Sequence, residues 1–167
     1  MSQYKELPQV EFAVAAQNAF KKFFQFNGRI RRSEYWWGFL TLFIAAFVIS
    51  LVPFVGPLVA LVLSIAGISM QFRRLHDTGR SGWWWAAQAC VGTISCTLFF
   101  VSFNFSAYLE AIRSQDIQAA MNVLISAITS ITGILAIVFY LINIALGITI
   151  LVFLLQDSQP EANKYGE

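Results

Sequence analysis

Three long stretches of this chain contain no Asp, Glu, Lys, Arg or His residue, and they constrain its fold more than any other feature. They cover residues 35–72, 81–109 and 117–156. A helix needs roughly 20 apolar residues to cross a hydrocarbon core about 30 Å thick, so every stretch can hold at least one membrane span. Only 12% of the residues are charged, whereas soluble domains usually carry about 25%. The sequence therefore predicts a protein that folds in lipid.

The first stretch is long enough for two helices. Its middle, residues 51–57, reads LVPFVGP, and two prolines with a glycine favour a turn over a continuous helix. We therefore expect four spans, at about 35–52, 57–74, 82–103 and 131–155. The predicted fold is an all-α polytopic membrane protein, with four transmembrane helices arranged as two hairpins and an N-terminal amphipathic helix. The membrane domain covers residues 35–155.

The lysines and arginines predict the orientation, because they are retained on the cytoplasmic side of a membrane. With both termini in the cytoplasm, Arg113 is the one cation left outside. The segment 1–34, a loop at 73–82 and a tail at 156–167 are then cytoplasmic, and a helical excursion at 104–122 is external. The net charge of +2 is too small for a dedicated nucleic-acid binder.

Before the first span, residues 8–26 carry apolar side chains near helical spacing with a lysine pair between them. Two interpretations stay open: an amphipathic helix in the headgroup layer, or a helix packed over the cytoplasmic ends of the bundle. Ser33 is expected to cap the first span, with Glu34 at the positive end of the helix. The similarity of residues 32–37 to residues 80–85 suggests an internal duplication. The alternative is that both segments converged on residue types that are favourable at a membrane–water interface.

A dense polar segment, RRLHDTGRSG at residues 73–82, joins the second and third spans. Guanidinium groups suit phosphate and carboxylate ligands. The candidate residues for binding an anion or a partner are Arg29, Arg31, Arg32, Arg73, Arg74 and Arg80. The alternative is a network satisfied within the protein, a structural polar clamp that includes Glu34, His76, Asp77 and Asp157. Asp77 and Asp157 follow the ends of spans two and four, where a carboxylate needs a compensating cation. We therefore expect arginines from 29–32 or 73–80 to bind both aspartates.

Three sequence blocks together resemble the domain of unknown function 805, a family of small bacterial inner-membrane proteins. The blocks are FNGRIRRSEYW at 26–36, FRRLHDTGRSGWW at 72–84 and DSQPEANKYG at 157–166. This chain differs in having Glu161 and Ala162 where a glycine and an acidic residue are common, and in its enlarged outer loop. The resemblance implies a location in the bacterial inner membrane and no established activity.

The sequence disfavours an enzyme and a conventional transporter. His76 could act as an acid or base beside Asp77, but adjacent helical residues point about 100° apart. One histidine and two cysteines are too few for a typical zinc site, and no metal or cofactor is expected. The predicted spans carry no residue that ionises in the ordinary range, which disfavours an ion-coupled carrier, although an oligomeric pore stays open.

The preferred hypothesis is a non-enzymatic membrane protein whose cytoplasmic arginine cluster binds anionic phospholipid headgroups or an acidic partner. The expected surroundings are the lipid bilayer, with a homo-oligomer or another membrane protein as possible partners and no nucleic acid.

Overall fold

The computed structural model describes residues 8–166, in which seven helices and no strand form. The helices are α1 (Phe12–Lys21), α2 (Arg32–Ser50), α3 (Val55–Asp77), α4 (Trp83–Ser102), α5 (Phe105–Arg113), α6 (Ile117–Thr129) and α7 (Ile131–Leu155). Helices α2, α3, α4 and α7 are each long and apolar enough to cross a membrane. The predicted all-α class is thus confirmed, and these four helices lie where the four spans are predicted.

The turn between α2 and α3 is shorter than predicted. It covers residues 51–54 and ends at Phe54, whose φ of +64° reverses the chain direction. Pro57 lies in the first turn of α3 and not in the turn itself. A proline is tolerated there because the first backbone N–H groups of a helix have no intrahelical acceptor.

Helix α3 continues beyond the predicted end at residue 74 and finishes at Asp77, so the predicted loop 73–82 shortens to 78–82. The helix ends in a Schellman motif: Arg80 N–H donates to the Leu75 carbonyl, and Gly79 N–H donates to the His76 carbonyl. Gly79 has a φ of +75°, which suits the residue after the cap. The charged residues of the last turn stay helical because they find partners elsewhere in the chain.

One compact unit contains the described residues up to Trp85 together with residues 150–166. Its core combines α2, α3 and the last residues of α7 with a few flanking side chains, among them Ile30, Tyr35, Leu42, Ala66, Met70, Leu75, Ile150 and Leu154. Helices α2 and α3 approach closely at Gly38, where a Cβ would lie 2.4 Å from the Met70 Cε. Helix α1 packs on α2 with Ala15 and Ala19 buried, while Phe12, Val14 and Phe20 are exposed.

The second unit, residues 86–149, contains α5, α6 and the remaining parts of α4 and α7. The Ser95 hydroxyl donates to the Ala136 carbonyl at 2.9 Å, which joins α4 to α7 inside this unit. The predicted excursion at 104–122 consists of two helices, and the second continues to Thr129. The side chains of Asn104 and Asp116 cap α5 and α6, which explains where both helices begin.

Candidate functional site

Three ionised side chains meet at the end of α3 and form what we call the buried triad: Arg29, Arg74 and Asp77. The Arg29 Nε donates to Asp77 Oδ1 at 3.1 Å, and the Arg74 Nη1 donates to Asp77 Oδ2. The side chains are 7%, 0% and 4% exposed, respectively. Two cations and one anion leave the triad with an excess positive charge, which burial makes costly unless other groups compensate it.

The C-terminal end of α7 supplies part of this compensation. The Arg74 Nε donates to the Leu154 carbonyl at 3.1 Å, and its Nη2 donates to the Gln156 carbonyl. The last carbonyls of a helix have no intrahelical donor and carry the negative end of the helix dipole. Arg74 therefore caps α7 and neutralises Asp77 with one guanidinium group.

Arg29 binds the C-terminal tail, residues 156–166. Its Nη1 donates to the carbonyls of Glu161 at 2.9 Å and Gly166 at 3.2 Å, and its Nη2 donates to the carbonyl of Gln159. Five N–H groups in a rigid fork allow arginine to bind several acceptors in this way. Arg29 thus links the segment before α2 to Asp77 and to the tail.

His76 lies beside the triad and contacts the same tail. Its ring stacks on Tyr165 with centroids 3.8 Å apart and an interplanar angle of 7°. The Asn163 amide donates to the His76 carbonyl at 3.0 Å, and the His76 Nδ1 lies 3.2 Å from the Gly28 carbonyl. Within residues 8–166, no hydrogen bond joins His76 to Asp77, although the two are adjacent in sequence.

The more exposed arginines surround this centre. Arg32 pairs with Asp157 at 2.8 Å, and their side chains are 52% and 62% exposed. Arg80 donates to the Gln156 side chain at 2.7 Å and lies over the Phe153 ring at 3.8 Å.

Arg31 contacts the segment before α1 instead. Its Nη1 donates to the Pro8 carbonyl at 2.6 Å.

The expectation that all six arginines share one binding face needs correction for Arg73 and Arg74. These residues are 1% and 0% exposed, because the extension of α3 carries them into the core. Among the described residues, the buried Nε of Arg73 has no hydrogen-bond partner. Neither guanidinium group is presented to a surface.

At the start of α2, Glu34 lies in the first turn as expected, whereas the expected role of Ser33 needs correction. The helix begins at Arg32, so Ser33 lies inside it and cannot act as its N-cap. The Ser33 hydroxyl instead accepts a hydrogen bond from the Val10 N–H at 2.9 Å. Glu34 accepts a hydrogen bond from the Asn18 amide at 2.9 Å, so its observed hydrogen bond joins α2 to α1. Both contacts tie the N-terminal segment to α2.

Two kinds of binding partner in this polar cluster were not predicted from the sequence: backbone carbonyls and side chains of the tail. The tail carbonyls that bind Arg29 carry no signal in the sequence. Tyr165 and Asn163 do belong to the block at 157–166 that the resemblance singled out, and this block was the signal available for them. The geometry brings the start of α2, the end of α3 and the end of α7 into one polar cluster. Among residues 8–166, no group of three or more metal-binding side chains forms.

Comparison with known proteins identifies the family of this chain. A family model described as "Protein of unknown function (DUF805)" matches residues 23–167. The chain belongs to the DUF805 family. The matched region includes the buried triad, the tail and all four candidate spans.

Two relatives come from Escherichia coli (strain K12). The chain is 34% identical over 76 residues to the inner membrane protein YhaH, a match that covers 38% of this chain and 63% of YhaH. It is 33% identical over 91 residues to the inner membrane protein YhaI, which covers 50% of this chain and 68% of YhaI. No solved structure matches the chain. This DUF805 member is therefore a membrane protein related to inner membrane proteins.

Proposed function

We propose that this DUF805 protein is a non-enzymatic, four-span inner-membrane protein that binds anionic phospholipid headgroups at its cytoplasmic face. The observation that carries the proposal is the exposed cation Arg32, which stands at the first residue of a candidate span. A guanidinium group at that position lies where a bilayer presents its phosphates. Lys21, at the end of α1, is a second exposed cation of the segment near the start of the first span.

Exposed aromatic side chains beside these cations support the same proposal. Phe12 and Phe20 on α1 are about half exposed, and Phe24 is 71% exposed. Apolar side chains next to lysine and arginine are typical of segments that lie in the headgroup layer. In this hypothesis α1 packs on α2 with its alanines and turns its phenylalanines toward the lipid.

The contacts of the buried triad support a topology with both termini on one side. The segment before α2, the last turn of α3 and the end of α7 are joined by Arg29 and Arg74. These contacts support a position of all three segments at the same membrane face, and the excess of cations there favours the cytoplasmic face. Reporter fusions after Gly166 and within residues 114–116 test this topology: a periplasmic reporter after Gly166 would contradict it.

The arrangement of His76 and Asp77 favours a structural over a catalytic role. Each carboxylate oxygen of Asp77 accepts a hydrogen bond from an arginine, and the Nδ1 of His76 lies 3.2 Å from the Gly28 carbonyl. An acid or base must reach the proton that it transfers, which these contacts hinder.

Lipid analysis of the purified protein tests headgroup binding. We compare the wild type with a variant carrying Arg31→Gln and Arg32→Gln, and with Arg113→Gln on α5 as a control that removes one positive charge elsewhere. The double variant should co-purify with less anionic lipid, whereas Arg113→Gln should match the wild type. Equal anionic lipid in all three proteins would overturn the proposal. Loss of a bound acidic polypeptide in the double variant, with lipid unchanged, would favour a protein partner instead.

A further inference from the structure

A groove of about 260 Å³ runs along the seam between α2 and α3. Tyr35 and Gln71 line one end, at the start of α2 and near the end of α3, and Ala46 and Ala60 line the other. The residues 35 to 46 span about 16 Å along a helix, roughly half the thickness of the hydrocarbon core. The groove therefore extends from the headgroup side toward the middle of the bilayer.

The groove exists because some of its lining residues are small, so their side chains leave space between the two helices. A Cβ added at Gly67, one of its lining residues, would meet no atom within 4 Å. At Gly38, by contrast, a Cβ would clash with the Met70 side chain. On the α2 side, Phe39 and Phe43 stack with centroids 6.4 Å apart and form an aromatic wall. An apolar slot with an aromatic wall suits a flexible hydrocarbon chain.

Arg32 stands in register with this groove. Tyr35, Phe39 and Phe43 follow it at intervals of three, four and four residues, which is the spacing of one helix face. Arg32 thus lies at the N-terminal end of the α2 face that lines the groove. A lipid whose chain occupies the groove would bring its headgroup to the start of α2.

The donors of Arg32 are only partly used. Its Nη1 is shared between Asp157 and the Leu155 carbonyl, and no described residue accepts a hydrogen bond from its Nε or Nη2. With half of the side chain exposed, these groups can donate to a phosphate. The positive charge of Arg32 and the apolar shape of the groove therefore both fit an anionic phospholipid.

We propose that the groove between α2 and α3 holds one acyl chain of an anionic phospholipid whose phosphate is bound by Arg32. This inference rests on the proposed function and specifies where that function resides. It commits to a lipid of the bilayer and not to a helix of a second copy, because a helix in the groove would leave the unused donors of Arg32 without an anion.

Native mass spectrometry with added phosphatidylglycerol and phosphatidylcholine of identical chains tests the site. Gly67→Leu fills the groove without changing charge, and Ala145→Leu at an exposed position of α7 is its control. We expect Gly67→Leu to weaken binding of the tightest phosphatidylglycerol by about tenfold. Arg32→Gln should abolish the preference for phosphatidylglycerol while phosphatidylcholine still binds.

A photoreactive phosphatidylglycerol with a diazirine in its acyl chain tests the site in the unmodified protein. Crosslinks should concentrate on residues 39–46 and 60–67. Crosslinks spread evenly over α2, α3 and α7 would overturn the groove site, as would wild-type binding by Gly67→Leu and Arg32→Gln. If Gly67→Leu binds phosphatidylglycerol like the wild type while Arg32→Gln loses the preference for it, the groove fails but the proposed function survives. If the wild type shows no preference, the proposed function itself fails.

Discussion

Arg29 donates from its Nε to the Oδ1 of Asp77 at 3.1 Å, across 48 positions of sequence and with both side chains buried. This ion pair joins the segment before α2 to the last residue of α3. Through its Nη groups Arg29 also binds the tail, so one side chain connects three distant parts of the chain. Several properties of the protein should depend on this connection.

Removing the carboxylate of the triad should destabilise the fold strongly. Asp77→Ala leaves Arg29 and Arg74 buried without their anion, and breaking a buried pair in this way commonly costs about 3 to 5 kcal/mol. Glu110→Ala, at an exposed position of α5, should change stability by no more than about 0.5 kcal/mol. Thermal unfolding in detergent measures both, and equal Tm values for the two variants would remove the triad as a source of stability.

Replacing Arg74 by methionine should loosen the end of α7. The change keeps an unbranched side chain that reaches as far as the arginine Nε but removes the donors to the carbonyls of Leu154 and Gln156. Unsatisfied buried carbonyls cost about 1 to 3 kcal/mol each. Hydrogen exchange of residues 150–158 should accelerate in Arg74→Met and not in Arg113→Met. Unchanged protection in Arg74→Met would contradict the capping role.

The stack of Tyr165 on His76 should protect the tail from proteolysis. Lys164 is exposed, so trypsin can cleave after it once the tail detaches. Tyr165→Ala removes the ring and should raise the rate of this cleavage by about fivefold, because proteolysis follows the population of the open form. Tyr165→Phe keeps the stack and should behave like the wild type. If Tyr165→Phe is cleaved as fast as Tyr165→Ala, stacking does not hold the tail.

The spans could be predicted from the sequence because a soluble domain rarely leaves about 20 consecutive residues without a charge. The ends of the helices were less accurate. Three charged residues and His76 at 73–77 suggested an exit from the membrane at residue 74. The helix nevertheless continues to Asp77, and Arg74 and Asp77 bind partners from other parts of the chain. Pro57 was assigned to a turn, although a helix also accepts proline in its first turn.

The candidate site, too, could be predicted from the sequence only in part. The helix dipole indicated from sequence alone that Asp77 and Asp157 need cations. It could not indicate that Asp77 is buried whereas Asp157 is 62% exposed, since burial depends on the position of the tail. Nor could it reveal that Arg29 and Arg74 bind carbonyls, because every residue carries one. Ser33 was wrongly expected to cap α2, because the helix starts at Arg32 and its N-cap is Arg31, two residues earlier.

Removing the carboxylate next to Arg32 should strengthen lipid binding. Asp157→Asn frees the Nη1 of Arg32 from its ion pair and raises the positive potential at the start of α2. Retention of phosphatidylglycerol relative to phosphatidylcholine should increase by a few fold, at roughly 1.4 kcal/mol per factor of ten. Glu161→Gln, an exposed carboxylate of the same tail, is the control. Weaker retention in Asp157→Asn would indicate that Arg32 does not select the headgroup.

The preference of the wild-type protein for one headgroup is the most direct test of whether it binds anionic phospholipids. The purified protein is equilibrated with equal amounts of phosphatidylglycerol and phosphatidylcholine of the same chain length, and native mass spectrometry counts the bound molecules. We predict a preference for phosphatidylglycerol of about tenfold, which corresponds to roughly 1.4 kcal/mol. Equal binding of the two lipids at low ionic strength would contradict the proposed function.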